Sequence, residues 1–225
     1  MNYGGHFTAV GNFGRGVYGD ASGEHGIGVY GRASKTGDYT NYGGYFLSKG
    51  NQGRGVYAEG GSSGYAAEFR GNVLIRSHST GATVIELGEG LDYAEGFDVS
   101  GKQEIGPGSV LIIDADNPGK LALSAKAYDS KVAGIVAGAN GIGSGVRLGA
   151  GEFDYDVALA GRVYCNVDAT ETSVEPGDLL TTSSIAGYAM KATDYMRTQG
   201  AILGKAMEKL EKGKKRQILV LVTLQ

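Results

Sequence analysis

Few residues in this chain have the type and spacing that chemistry needs. His6, His25 and His78 are too scattered for a zinc-like ligand set, so no metal site is expected. Cys165 is the only cysteine and cannot close an intrachain disulfide; within the strand-like run Val163-Tyr164-Cys165-Asn166-Val167 it reads as an inert, buried thiol. Gly14-Arg15-Gly16-Val17-Tyr18-Gly19 has phosphate-loop glycines but neither the strand-loop-helix setting nor the Lys-Ser/Thr ending, and no cofactor is expected. Ser77-His78-Ser79-Thr80 sets nucleophiles beside a base, yet neighbouring side chains on one turn rarely meet in triad geometry, so a surface turn is the default. Polysaccharide hydrolysis would need two carboxylates facing across a groove, and the sequence alone does not pair Asp20, Glu24, Asp38 or Glu59. Tyr39, Tyr42 and Tyr45 are glycan-contact candidates through stacking, and equally candidates for a shared core.

The elements that carry these residues are repetitive at the N-terminus. Tyr3-Gly4-Gly5-His6-Phe7 returns as Tyr42-Gly43-Gly44-Tyr45-Phe46, and Gly14-Arg15-Gly16-Val17-Tyr18 returns as Gly53-Arg54-Gly55-Val56-Tyr57, both at an offset of 39. A fixed period marks a stacked rod in which each unit buries its apolar face against the next. Within it runs a shorter beat: Phe7 to Tyr18 and then Tyr30, Phe46 to Tyr57 and then Phe69. Each beat reads as a short β run ended by Gly-rich turn chemistry such as Ser22-Gly23. Aliphatic volume is too low here for an ordinary single-chain core, whereas rings from three chains around one axis would fill one. An intertwined or side-by-side trimeric β prism is the favoured reading, with a monomeric β-solenoid as the alternative.

Composition removes several classes. With 41 Gly but only 3 Pro and no strict third-residue glycine, collagen is excluded. Lys and Arg number 21 against 24 Asp and Glu, so the chain lacks the positive field that nucleic acid rewards. No basic-then-apolar leader opens the sequence, and no apolar run reaches the roughly 18 residues of a membrane span. Neither nucleic acid nor membrane insertion is expected.

Beyond about residue 90 Leu, Ile and Val return. Val110-Leu111-Ile112-Ile113, Leu121-Ala122-Leu123, Val132 to Val136, Val157 to Ala160, Val163 to Val167, Leu179 to Thr182 and Gln217 to Val222 are strand candidates, separated by turns such as Asp116-Asn117-Pro118-Gly119. One helix is expected around Gly200 to Leu210, followed by a solvated basic hairpin tip at Glu211 to Arg216. The chain is thus expected to be mainly β: a glycine- and aromatic-rich trimeric stalk, prism or β-helix-like, over residues 1–90, then a compact β-barrel-like domain over 91–225.

Asp92-Tyr93-Ala94-Glu95, Ile105-Gly106-Pro107-Gly108-Ser109-Val110-Leu111, Val132-Ala133-Gly134-Ile135-Val136, Val157 to Val163 and Pro176-Gly177-Asp178-Leu179-Leu180 follow one another in an order that resembles the C-terminal region of phage tail fibre and pre-neck appendage proteins. These include the self-cleaving intramolecular chaperone domains of the G2 peptidase family. The resemblance implies a homotrimer whose C-terminal domain aligns three chains so that the glycine-rich stalk zips in register. It also implies roles for Asp92 and Glu95 in autoproteolysis near Leu91-Asp92, although Leu91 stands where the cleaving pattern has serine. The bland reading is an acidic linker, with Glu86 and Glu89 nearby. The resulting expectation is a structural fibre tip or appendage rather than an enzyme, joined to other particle or tail components, contacting host-surface polysaccharide, and assembled in a host cytoplasm into a virion or extracellular phage-like particle. Its alternatives are a self-cleaving chaperone releasing residues 92–225 after assembly, and a glycan-binding adhesin.

Overall fold

The structure, a computed structural model, describes residues 5–10, 13, 15–101, 103–149 and 152–223. Tyr3, Gly4 and Gly14 of the first repeat copy lie outside them. The chain divides into two compact units, residues 1–68 and 69–225.

In the first unit the short β runs expected from the sequence are extended segments without a ladder: no strand is present among the described residues of 5–68. The reason is physical. A ladder needs a second row of backbone donors and acceptors, and here the backbone bonds close only turns, Gly26 N–H to Gly23 O at 3.1 Å, Gly53 N–H to Gly50 O at 2.9 Å and Gly64 N–H to Gly61 O at 3.0 Å. Local geometry nevertheless recurs at the sequence offset. Arg15 lies over the Tyr18 ring at 5.3 Å and Arg54 over Tyr57 at 5.5 Å. Gly16 faces the Phe7 carbonyl and Gly55 the Phe46 carbonyl. A Cβ on Gly19 would stand 2.2 Å from the Gly28 carbonyl oxygen, so successive runs pass where only glycine fits. Within one chain the rings are left outside: Tyr18 and Tyr30 are each 72% exposed.

The second unit is a mainly β domain, a small closed barrel with extra strands. In chain order these are β1 (Val73–Arg76), β2 (Thr83–Leu87), β3 (Asp92–Phe97), β4 (Val110–Ile113), β5 (Leu121–Leu123), β6 (Val132–Val136), β7 (Val146–Leu148), β8 (Tyr155–Asp168), β9 (Leu179–Thr182), β10 (Ala189–Lys191), β11 (Ile202–Ala206) and β12 (Lys215–Thr223). The barrel closes through β8-β10-β9-β11-β12 and back to β8, because β8 pairs with both β10 and β12. Its interior follows the two-residue period: Val163, Cys165 and Val167 of β8 and Ile218, Val220 and Val222 of β12 are buried, joined by Leu180 and Leu203. Upstream, the first half of β8 pairs with β3 and β6 and carries the sheet outward through β7 to the β1-β2 hairpin.

The expected helix over residues 200–210 is corrected: Ile202–Ala206 form β11. β9 and β12 supply a ladder on each side, and a Cβ on Gly204 would come within 2.2 Å of the Leu221 carbonyl oxygen, an approach made for strand pairing. The basic tip between β11 and β12 is where the sequence places it, with Lys214 N–H bonded to Glu211 O at 3.2 Å and Gly213 at φ 83°.

Cys165 lies inside the barrel, and burial pushes its thiol far above the ordinary cysteine range. Labelling by a thiol reagent at neutral pH should therefore be at least about 100-fold slower in the native protein than in urea. Equal rates in the two states would contradict the closed barrel.

Candidate functional site

The site is built around β3, where the two sequence-predicted acidic residues lie. Alternation along the strand buries Asp92 and Ala94 and leaves Tyr93 and Glu95 half-buried. Tyr93 Oη donates to Glu95 Oε1 at 3.1 Å, which fixes that pair on the face away from Asp92. Loss of solvation, followed by the Glu95 carboxylate, raises the Tyr93 phenol above its usual range. Asp92 and Glu95 therefore do not share one centre within a single chain.

Asp92 occupies a tight junction. It pairs with Gly161 of β8, whose φ is 93°, and a Cβ there would stand 2.8 Å from the Leu91 oxygen and 2.9 Å from the Asp92 Cα. The Leu91 carbonyl accepts from Arg162 N–H at 3.0 Å, and the Asp92 carbonyl from Gly145 N–H at 2.9 Å. The residue is only 6% exposed, and its Oδ1 has no hydrogen-bond partner. Burial raises the carboxyl above the ordinary aspartate range and the negative Asp156 adds to this; hydrogen bonds from the Ser144 hydroxyl and nearby backbone N–H groups offset part of it. The Leu91-Asp92 peptide thus has a donor on its carbonyl and a buried carboxyl with a raised pKa beside it, but residue 91 contributes no hydroxyl.

Because the folded state holds the Asp92 proton more tightly than the unfolded chain, this residue lowers stability as pH rises from about 4, the ordinary aspartate value, through its raised folded value. Below that window the penalty is absent. Asp92→Asn should raise stability at pH 7 by on the order of 1 kcal/mol and leave it unchanged near pH 3. Urea titrations at the two pH values check this, and an equal effect at both would refute it.

Beside the junction opens a groove of about 530 Å³, lined by Asn72, Glu86, Glu89, Ser144, Arg147 and Asp156 together with glycine backbone. Arg147 Nε meets Asp156 Oδ1 at 2.6 Å, with the arginine side chain 19% exposed, and Asn72 Nδ2 donates to Glu86 Oε1 at 3.4 Å. A cleft of about 10 Å³ lined by Leu91, Asp92 and Arg162 shares Ile142 and Gly143 with the groove. Sequence reasoning does not find Asn72, Ser144, Arg147 or Asp156, which reach this place from separate elements; an arginine in the otherwise apolar Val146-Arg147-Leu148 is the one available signal.

The remaining candidates belong to other elements. Tyr39, Tyr42 and Tyr45 are exposed on the first unit, with Lys35 over Tyr39 at 5.2 Å and the Tyr42 and Tyr45 rings edge-to-face at 5.8 Å. Ser77 Oγ lies 3.1 Å from Ser79 Oγ inside the β1-β2 turn, a turn satisfied by its own groups. Of Asp20, Glu24, Asp38 and Glu59 in the first unit, Glu59 accepts from Tyr57 Oη at 3.1 Å.

Fold and site together define a mainly β domain with a closed barrel and an acid-lined groove, in a chain that also carries an aromatic-rich unit without strands among its described residues. Compared with known proteins, the chain matches no family model and no curated sequence.

Proposed function

We propose that this chain is the homotrimeric tip, or C-terminal part, of a phage or phage-like tail fibre or appendage, in which the β domain aligns three chains and the N-terminal unit forms a repetitive β stalk. The observation that carries the reading is the first unit itself: its described aromatic rings are exposed and its backbone runs are unladdered, both of which two further copies of the same chain would satisfy. Recurrence of the arginine-tyrosine stacks at the repeat offset supports a regular stalk. The barrel supports the alignment role, since a cooperative folded end suppresses register slips in glycine-rich segments. In this reading the protein joins other tail components, contacts host-surface polysaccharide and is assembled in a host cytoplasm.

Size-exclusion chromatography with light scattering tests it. Three 23.2 kDa chains give about 70 kDa, intact on a denaturing gel. A stable single-chain mass would overturn the trimer and favour a solenoid with an appended β domain.

A second reading, self-cleavage between Leu91 and Asp92 after assembly, is favoured by one observation: the buried Asp92 carboxyl beside a Leu91 carbonyl that already accepts from Arg162 N–H. It predicts fragments ending at Leu91 and beginning at Asp92, and an uncut chain in Asp92→Ala. An intact wild-type trimer after prolonged incubation would remove it. A glycan-binding adhesin using Tyr39, Tyr42 or Tyr45 would show saturable binding to envelope sugar that is lost on Tyr42→Ala; no binding across a host panel would count against it.

A further inference from the structure

The groove beside β3 has a charge imbalance that its own chain leaves standing. Glu86, Glu89 and Asp156 face a single guanidinium, Arg147, which is already engaged by Asp156. In the adjoining cleft Asp92, more than nine-tenths buried, keeps an oxygen without a donor. A concave site with surplus negative charge selects a cation carrying several N–H donors. The ligand class is an ammonium or guanidinium group.

The chain carries one dense supply of such groups, the turn between β11 and β12 with Lys209, Lys212 and Lys214, continued by Lys215 and Arg216 at the start of β12. Lys209 is held by Glu175 and Glu211, and Arg216 donates to the Lys209 carbonyl at 2.9 Å. Among the described residues no ion pair occupies Lys212 or Lys214. The turn is narrow and open, with nothing within 4 Å of where a Gly213 Cβ would be, which suits insertion into a groove of about 530 Å³.

The turn cannot enter its own groove. Asp156 stands near the start of β8, while Lys215 pairs with Asp168 at its far end, on the order of 30 to 40 Å away along the strand. We propose that the basic β11-β12 turn of one copy seats in the groove formed by Glu86, Glu89, Ser144 and Asp156 of a second copy, bringing ammonium donors to its unbalanced carboxylates. The contact is head-to-tail, using different surfaces on the two partners, and three such contacts close a ring. It rests on the trimer reading and deepens it, because it names the surfaces by which the β domains align.

The test uses the full-length chain carrying Glu89→Cys and Lys212→Cys, with buried Cys165 as a silent background. In a mildly oxidising thiol-disulfide buffer, cross-links should build two- and three-chain species on a non-reducing denaturing gel. Their yield should fall several-fold when salt rises from about 0.05 M to about 0.5 M. Adding Lys214→Glu and Lys215→Glu should abolish them, and each single-cysteine chain should not form the three-chain species. If no cross-link forms while light scattering still gives the three-chain mass, the seating is overturned and the trimer stands. If light scattering gives a single chain, both fall.

Discussion

Gly161→Ala is expected to cost the β domain about 3 kcal/mol, roughly half from the backbone angle and half from contact with the chain it backs onto. At φ 93° the residue sits where an L side chain is strained, and the added Cβ would come within 2.8 Å of the Leu91 oxygen and 2.9 Å of the Asp92 Cα. Neither atom is free to withdraw. The Leu91 oxygen is held by Arg162 N–H and the Asp92 carbonyl by Gly145 N–H, so relief would break bonds on both sides of β3 where it begins, to β8 and to the start of β7. Gly177 is the matched control: its φ is also 93°, but nothing lies within 4 Å of its missing Cβ. Gly177→Ala should therefore lose only the angular part, on the order of 1 to 2 kcal/mol. Urea unfolding of the two variants in the full-length chain measures the difference directly. Equal losses would mean that the Leu91-Asp92 junction does not press on β8, and the tight geometry described for it would be wrong.

The same junction shows how far the sequence can be read. Strands such as Val110–Ile113, Val132–Val136 and Leu179–Thr182 are legible because branched and aliphatic residues run between strong turn signals. β3 is not, since Asp92, Glu95 and Gly96 disguise a strand that is polar on one face and tucked against Gly161 on the other. β7 and β10 are three residues long and have too little periodicity to announce themselves. The segment at Ile202–Ala206 misleads because Ala201, Lys205 and Glu208 suit a helix, and only the flanking β9 and β12 decide otherwise. Barrel closure depends on β8 pairing with β10 and β12 at once, a long-range register that no local pattern encodes. The groove is hidden for the same reason: Asn72, Arg147 and Asp156 meet only after four sheet pairings form, β1-β2, β2-β7, β7-β3 and β3-β8. Asp92 and Glu95 are singled out in the sequence by resemblance alone; the burial of Asp92 and its separation from Glu95 come only with the fold.

Tyr18→Ser combined with Tyr57→Ser should collapse the protection of the N-terminal unit while sparing the β domain. The two rings occupy equivalent repeat positions, each beneath an arginine, and remain 72% and 70% exposed in one chain. If three chains share them, each ring gains roughly 2 kcal/mol on burial, and a trimer loses six at once. That loss exceeds what the exposed cation-π contacts supply, at about 0.5 to 1 kcal/mol each. Trypsin has sites at Arg15, Arg32, Lys35, Lys49 and Arg54, all within residues 1–68, so limited proteolysis reports on this unit separately. Cleavage there should accelerate by at least about 100-fold in the double variant, whereas the barrel strands of 69–225 persist at the wild-type rate. Tyr18→Phe with Tyr57→Phe, which keeps the rings, should restore resistance. A wild-type N-terminal unit cut as fast as the serine variant would show that these aromatics are surface residues rather than a shared core, and would take with it the strongest physical reason for three chains.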